Sequence, residues 1–325
     1  MEQSWGVSAR DDVSAWALTL RRSAEQFWLV VGIVGVTLAG LRCFTREFGD
    51  LWMYWHSSGV ASLGMLAVPC GVILTWRALR GGSIDSSGSW LGLAMIVGAL
   101  ALAVFEYPTS RLDISFLGPL GLIPLAPIGL MIWAYGSGIV VLFGGWQALR
   151  KAFFPLAMLL LVVPVPPFIV SHFDLPLQYF DAHVARSFAI FLGVPVGGDS
   201  LRLLFDHNRL GMLIAPGCDG FSGAAAMGYA TLVASYLYGL RPFARAFYSL
   251  MSVLVAFALN LVRLCSLVLF YCAAHVIPSL GGYAVGADYI IGAILFASGA
   301  AIVLMAPRRL MAARMLVAPM LTHEA

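Results

Sequence analysis

Apolar residues in this chain fall into long unbroken runs instead of alternating with polar ones, and short segments rich in arginine, glycine and proline separate the runs. About 20 residues of helix cross a hydrocarbon layer, so runs of at least about 18 read as membrane spans. Eight are predicted, near 26–44, 59–78, 90–107, 121–145, 152–171, 219–240, 244–274 and 284–306. Pro119, Pro124 and Pro127 break the start of the fourth, and Leu175 to Val194 is amphipathic, not spanning. The expected fold is all-α, a polytopic membrane helix bundle of about eight transmembrane helices with no internal repeat and no separate soluble domain. Residues 1–24 are polar and no small-residue cleavage site follows the first apolar run, which is therefore expected to be retained and not removed as a signal peptide.

Composition agrees with the pattern. Of 325 residues, 61% are hydrophobic and 11% charged, against about a quarter charged in soluble domains. Such a chain is neither disordered, nor a nucleic-acid binder, nor a disulfide-stapled module, and its net charge of +3 comes from loop arginines. Cys43, Cys70, Cys265 and Cys272 sit inside apolar runs as ordinary small hydrophobes, whereas Cys218 stands among turn residues. No cofactor and no metal is expected.

Arginine placement predicts the orientation, because basic short loops stay on the cytoplasmic side. Arg10, Arg21 and Arg22 precede the first span; Arg77 and Arg80 follow the second; Arg150 and Lys151 follow the fourth; Arg241 and Arg245 link the sixth and seventh; Arg308, Arg309 and Arg314 close the chain. These positions share one side, so both termini are expected in the cytoplasm: residues 1–24 as an N-terminal segment, 25–306 as the membrane domain, 307–325 as a C-terminal tail. The opposite side receives Arg42, Arg46, Arg111 and a polar stretch over 172–217.

Counting along helices from the basic anchors ranks residues by depth, at about 1.5 Å per residue. From Arg241 back to Cys218 is 23 residues, from Arg245 on to Arg263 is 18, and from Arg308 back to Asp288 is 20. A thiol, a guanidinium and a carboxylate from three successive helices are thus expected at one depth, near the outer boundary. Each also has a plainer reading. Arg263 could snorkel to headgroups, although eleven uncharged residues follow it and Asn260 shares its face. Asp288 could cap the last span, and His275 could be an interfacial loop histidine. Cys218 follows Pro216 and Gly217 at a helix start, where unpaired amides and the helix dipole favour thiolate; Asp219 opposes this unless it faces away as a cap. Gly220, Ala224 and Gly228 form a small-residue stripe that admits a close neighbouring helix. A thiolate can attack a peptide carbonyl while a cation stabilises the oxyanion, and a third group must carry protons. His275, Asp288, His207, His183 and His172 are the candidates.

With these residues in view, positions 160–300 resemble the exosortase and archaeosortase family of membrane cysteine transpeptidases. The resemblance rests on Pro164-Val165-Pro166-Pro167, Leu175-Pro176-Leu177-Gln178, Gly193-Val194-Pro195-Val196, Gly217-Cys218-Asp219-Gly220, Asn260-Leu261-Val262-Arg263 and Asp288-Tyr289-Ile290-Ile291-Gly292. It implies a protease that cleaves a C-terminal sorting signal of the PEP-CTERM kind, a motif followed by a transmembrane helix and a basic tail, from exported proteins in the cell inner membrane. The reaction would run on the periplasmic face through a thioester, with transfer to an acceptor, a lipid or a polysaccharide. Cys218 matches the nucleophile and Arg263 the arginine of the Asn-x-x-Arg motif. Asp219 replaces the usual serine, and Asp288 stands where the family has histidine, so proton handling falls to Asp288 by position or His275 by chemistry. Two rivals are kept open. Gly220-Phe221-Ser222-Gly223 is a GxSG sequence, as in rhomboid-like serine proteases, which would use Ser222. A non-catalytic transporter or scaffold is the other, although transporters place charges at the midplane.

Overall fold

The structure, a computed structural model, describes residues 27–80, 88–109, 128–165, 167–205, 210–214 and 220–321. The predicted N-terminal segment 1–24 and Cys218 lie outside them. Two compact units, Met1–Pro164 and Val165–Ala325, divide the chain.

In the first unit, α1 (Phe27–Cys43) bends by 70° into α2 (Thr45–Trp55), and α3 (Gly59–Ser62), α4 (Gly64–Arg80) and α5 (Leu91–Thr109) follow. The Ser58 hydroxyl starts α3 by accepting the Ala61 amide. α6 (Ile128–Ala157) continues as a 3-10 turn, Met158–Val162, and doubles back at Gly145, whose φ of 71° is the left-handed conformation that favours glycine. A Cβ on Gly129 would lie 2.8 Å from the Leu160 carbonyl, so the two legs run antiparallel. The predicted spans 121–145 and 152–171 therefore become a helical hairpin. The second does not reach 171: it stops at Val162, and a new helix starts at Pro167, because Pro164, Pro166 and Pro167 lack amide donors and push the preceding residue out of the helical region. Buried Trp55 donates its indole N–H to the Val162 carbonyl at 2.9 Å, tying α2 to the hairpin's end.

The second unit contains α7 (Pro167–Phe191), the antiparallel strands β1 (Arg202–Phe205) and β2 (Leu210–Leu213), then α8 (Phe221–Leu237), α9 (Pro242–Val276), a 3-10 turn Pro278–Tyr283 and α10 (Ala284–Leu321). The hairpin, with Arg202 opposite Leu213, was not foreseen; nor was the burial of its Leu203 and Phe205 within a stretch expected to be polar. Ala182, Ala185 and Ala189 of α7 pack with Leu203, Phe205, Met212 and Leu267 in one core, and Phe205 stacks on Tyr271 with ring centres 5.3 Å apart. At 35 residues, α9 is about 52 Å long, more than a hydrocarbon layer of about 30 Å, and its Leu267, Val268 and Tyr271 pack in this cap with α7 and the strands. α10 runs on through most of the predicted tail 307–325, to Leu321.

Among the described residues, Gly59–Arg80, Ile128–Val162, Pro242–Val276 and Pro278–Met305 are long and apolar enough to cross a membrane, with the bent pair α1 and α2 as a fifth. Leu91–Val104 is a shorter apolar helix. The chain is an all-α multi-pass membrane protein.

Candidate active site

α9 and α10 bring together two of the three residues that the depth count ranks at one level, the third, Cys218, lying outside the described residues. The Arg263 Nε donates to Asp288 Oδ1 at 2.9 Å, joining α9 to α10 by an ion pair whose side chains are 19% and 36% exposed. Arg263 Nη1 donates to Asn260 Oδ1 at 3.2 Å, one turn back on α9. Asn260 Nδ2 in turn donates to Asp181 Oδ2 on α7 at 3.1 Å. Asn260 and Asp181 are buried, at 7% and 4% exposure. The outcome is one connected line: carboxylate, amide, guanidinium, carboxylate. Its two ends fix the amide's orientation, since oxygen must face the arginine and nitrogen the aspartate.

This arrangement removes two of the plainer readings. Arg263 does not snorkel, because its guanidinium is held by protein groups on two sides. Asp288 is not a cap, because α10 begins at Ala284 and its side chain is spent on Arg263. α8 starts later than the cysteine turn suggested: Gly220 precedes the first helical residue with φ of 73°, and a Cβ there would meet Asn260 Cβ at 2.7 Å. Only glycine lets the start of α8 lie against Asn260 in that backbone conformation. Asp219, considered as a cap, lies outside the described residues.

A cavity of about 180 Å³ opens between these helices, lined by Gly220, Gly223, Asn260, Arg263, Gly292 and Phe296 among others. Its walls are mostly small or apolar, and its cation is Arg263. Such a slot suits an extended peptide whose carbonyl meets a guanidinium.

The other candidates are elsewhere. His275 is exposed in the last turn of α9, 12 residues beyond Arg263, a rise of about 18 Å along the helix. His172 and His183 are exposed on α7, and His207 lies outside the described residues. No histidine hydrogen-bonds Ser222 among the described residues. Asp181 was missed by the sequence reading. The signal was faint: it is the third residue after Gln178, itself 3% exposed, on the amphipathic stretch that the sequence left unassigned to chemistry.

Residues 52–307 match the family described as transmembrane exosortase. No curated protein and no solved structure matches the chain.

Proposed function

The chain belongs to the transmembrane exosortase family, and on that premise we propose that it cleaves a C-terminal sorting signal from exported proteins and transfers them to an acceptor. Family membership supports a membrane transpeptidase or protease role in sorting; the residue roles that follow are our reading. The Cys218 thiolate attacks the scissile carbonyl, forming an S–C bond. Arg263 stabilises the oxyanion. The amide C–N bond then breaks, its nitrogen takes the proton that the Asp288 carboxylate received from the Cys218 thiol, and the C-terminal fragment leaves as an amine, so that the exported protein remains as a thioester. An acceptor nucleophile displaces the thiolate and ends the cycle.

One observation carries this reading: Arg263 is anchored by Asp288 and Asn260 at a cleft whose wall includes Gly220. Cys218 is two residues before Gly220, so covalent geometry keeps their Cα atoms within about 7 Å. Asp288 is the proton carrier of this scheme, favoured over His275 by position alone, since it stands beside Arg263 whereas His275 is 12 residues further along α9. As a carboxylate on the Nε edge it also sets the guanidinium's plane. The substrate's apolar helix would enter from the bilayer between α8 and α10, with the cap of α7, β1 and β2 above the motif.

The test is to incubate the protein with a substrate peptide bearing the motif, helix and basic tail, and to map adducts by mass spectrometry. A hydroxylamine-sensitive adduct on Cys218, absent from Cys218→Ala, is expected. Processing by a stably inserted Cys218→Ala protein would overturn the mechanism, and processing lost in Ser222→Ala alone would transfer it to the serine.

A further inference from the structure

A cavity of about 750 Å³ is far from this chemistry in sequence and lies wholly within the first unit. α1, α4 and both legs of α6 wall it, with Leu29, Phe44, Val72, Trp76, Ile139 and Leu159 among the lining side chains. Val72 and Trp76 are 59% and 57% exposed, so the cavity is open towards the surrounding bilayer. From Leu29 to Phe44 the α1 wall rises about 22 Å, longer than the ~15 Å of hydrocarbon in one leaflet, which is enough for a full acyl chain.

The two ends of this groove differ in charge. On α4 the lining stripe runs through Val72, Trp76 and Leu79, and Arg80 continues it, its guanidinium 4.4 Å from the Trp76 ring centre. Gly64 lies against the Val162 carbonyl and Gly71 against Leu159 and the Pro155 carbonyl, so α4 runs antiparallel to the second leg of α6, Leu79 packs on the core of Val141, Leu149 and Ala152, and Arg80 comes to the same end as Arg150 and Lys151. All three basic side chains are exposed. The arginine distribution assigns this end to the cytoplasm. At the other end, around Phe44 and Phe48, Glu47 and Asp50 of α2 are balanced by Arg42 and Arg46, so that end carries no net charge. Between the basic end and the apolar floor, Thr75 lines the groove, and its buried Oγ1 has no hydrogen-bond partner. It precedes Arg80 by five residues, about 7.5 Å deeper along the helix.

From this graded series we infer that the groove holds an anionic diacyl phospholipid of the cytoplasmic leaflet. The phosphate sits against Arg80, Arg150 and Lys151, an ester carbonyl is at the depth of the Thr75 hydroxyl, and the acyl chains fill the space down to Phe44 and Leu159. Basic pockets between membrane helices recognise anionic headgroups by charge, while the apolar walls replace neighbouring lipid. Arg80 stacked on Trp76 is an interfacial aromatic paired with a cation, which suits headgroup depth.

The experiment compares lipid adducts on the full detergent-purified chain by native mass spectrometry, using phosphatidylglycerol and phosphatidylethanolamine with identical long acyl chains. Retention of phosphatidylglycerol at least about fivefold over phosphatidylethanolamine is expected, and Arg80→Gln with Lys151→Gln should bring the two within about twofold. Val72→Trp, at an exposed wall, should reduce both, and short-chain phosphatidylglycerol should not be retained. Equal retention of the two lipids, a preference that survives the double substitution, or short-chain lipid held as firmly as long would each overturn the proposal. A polypeptide filling the groove would show as lipid retention indifferent to Val72→Trp, which also overturns it. The charge substitutions are on the surface and keep the test decisive if the tryptophan variant fails to fold.

Discussion

Replacing Asp181 by asparagine keeps the side chain's shape and removes the acceptor that orients Asn260. In the native arrangement Asn260 Nδ2 donates to the Asp181 carboxylate at 3.1 Å, and its oxygen is thereby turned to Arg263 Nη1 at 3.2 Å. In Asp181→Asn the two amides can still pair if the new one presents its oxygen, but the pair itself no longer fixes which way round they stand. A flipped Asn260 sets its NH₂ against the guanidinium, donor against donor. A hydrogen bond to a charged group contributes about 1.5–3 kcal/mol, and both partners here are buried, so solvent cannot replace it. If that energy is expressed in the orientation of Arg263, turnover should fall roughly 10- to 150-fold. The assay is conversion of an exported reporter with a motif, an apolar helix and a basic tail, run beside a thermal melt of the purified protein. The reversed pair, Asp181→Asn with Asn260→Asp, restores a defined acceptor towards Arg263 and should recover much of the rate. A purely structural role for Asp181 predicts lost stability with unchanged turnover per folded molecule. Wild-type conversion by Asp181→Asn would refute the reasoning, and if Cys218→Ala were inactive in the same assay the refutation would touch Asp181 alone.

Three further outcomes are expected. Arg263→Lys keeps the charge but cannot bond Asp288 and Asn260 through separate edges, and single-turnover cleavage should slow by about 10²–10³-fold with substrate binding little changed. Gly220→Ala forces a side chain into φ of 73° with its Cβ 2.7 Å from Asn260, so stability should fall by at least about 1–2 kcal/mol, measured as a lower melting midpoint, and cleavage should fall with it. Trp55→Phe strips the buried Val162 carbonyl of its donor and should cost about 1–3 kcal/mol in the same melt, with turnover per folded molecule unchanged.

The helices of this protein were legible because lipid leaves a backbone no partner except itself, and an apolar run of sufficient length has one solution. Rise per residue is equally local, which is why counting from Arg245 and Arg308 ranked Arg263 and Asp288 at one depth before any contact was known. That two side chains share a depth does not say that they touch. Whether Arg263 faces lipid or Asp288 depends on how α9 and α10 are rotated against each other, and the sequence allowed either. The reversal at Gly145 was hidden for a related reason: a glycine inside an apolar run reads the same whether its φ is negative or 71°. The short strands escaped notice because four residues carry too little periodicity to separate strand from loop, and burial against α7 and α9 decides them. Asp181 reaches Asn260 across 79 residues, a pairing that no spacing encodes. Local hydrogen bonding and length thus determined which segments are helical and how deep each residue lies. Packing between helices, which depends on rotation and side-chain fit, decided which of those residues meet.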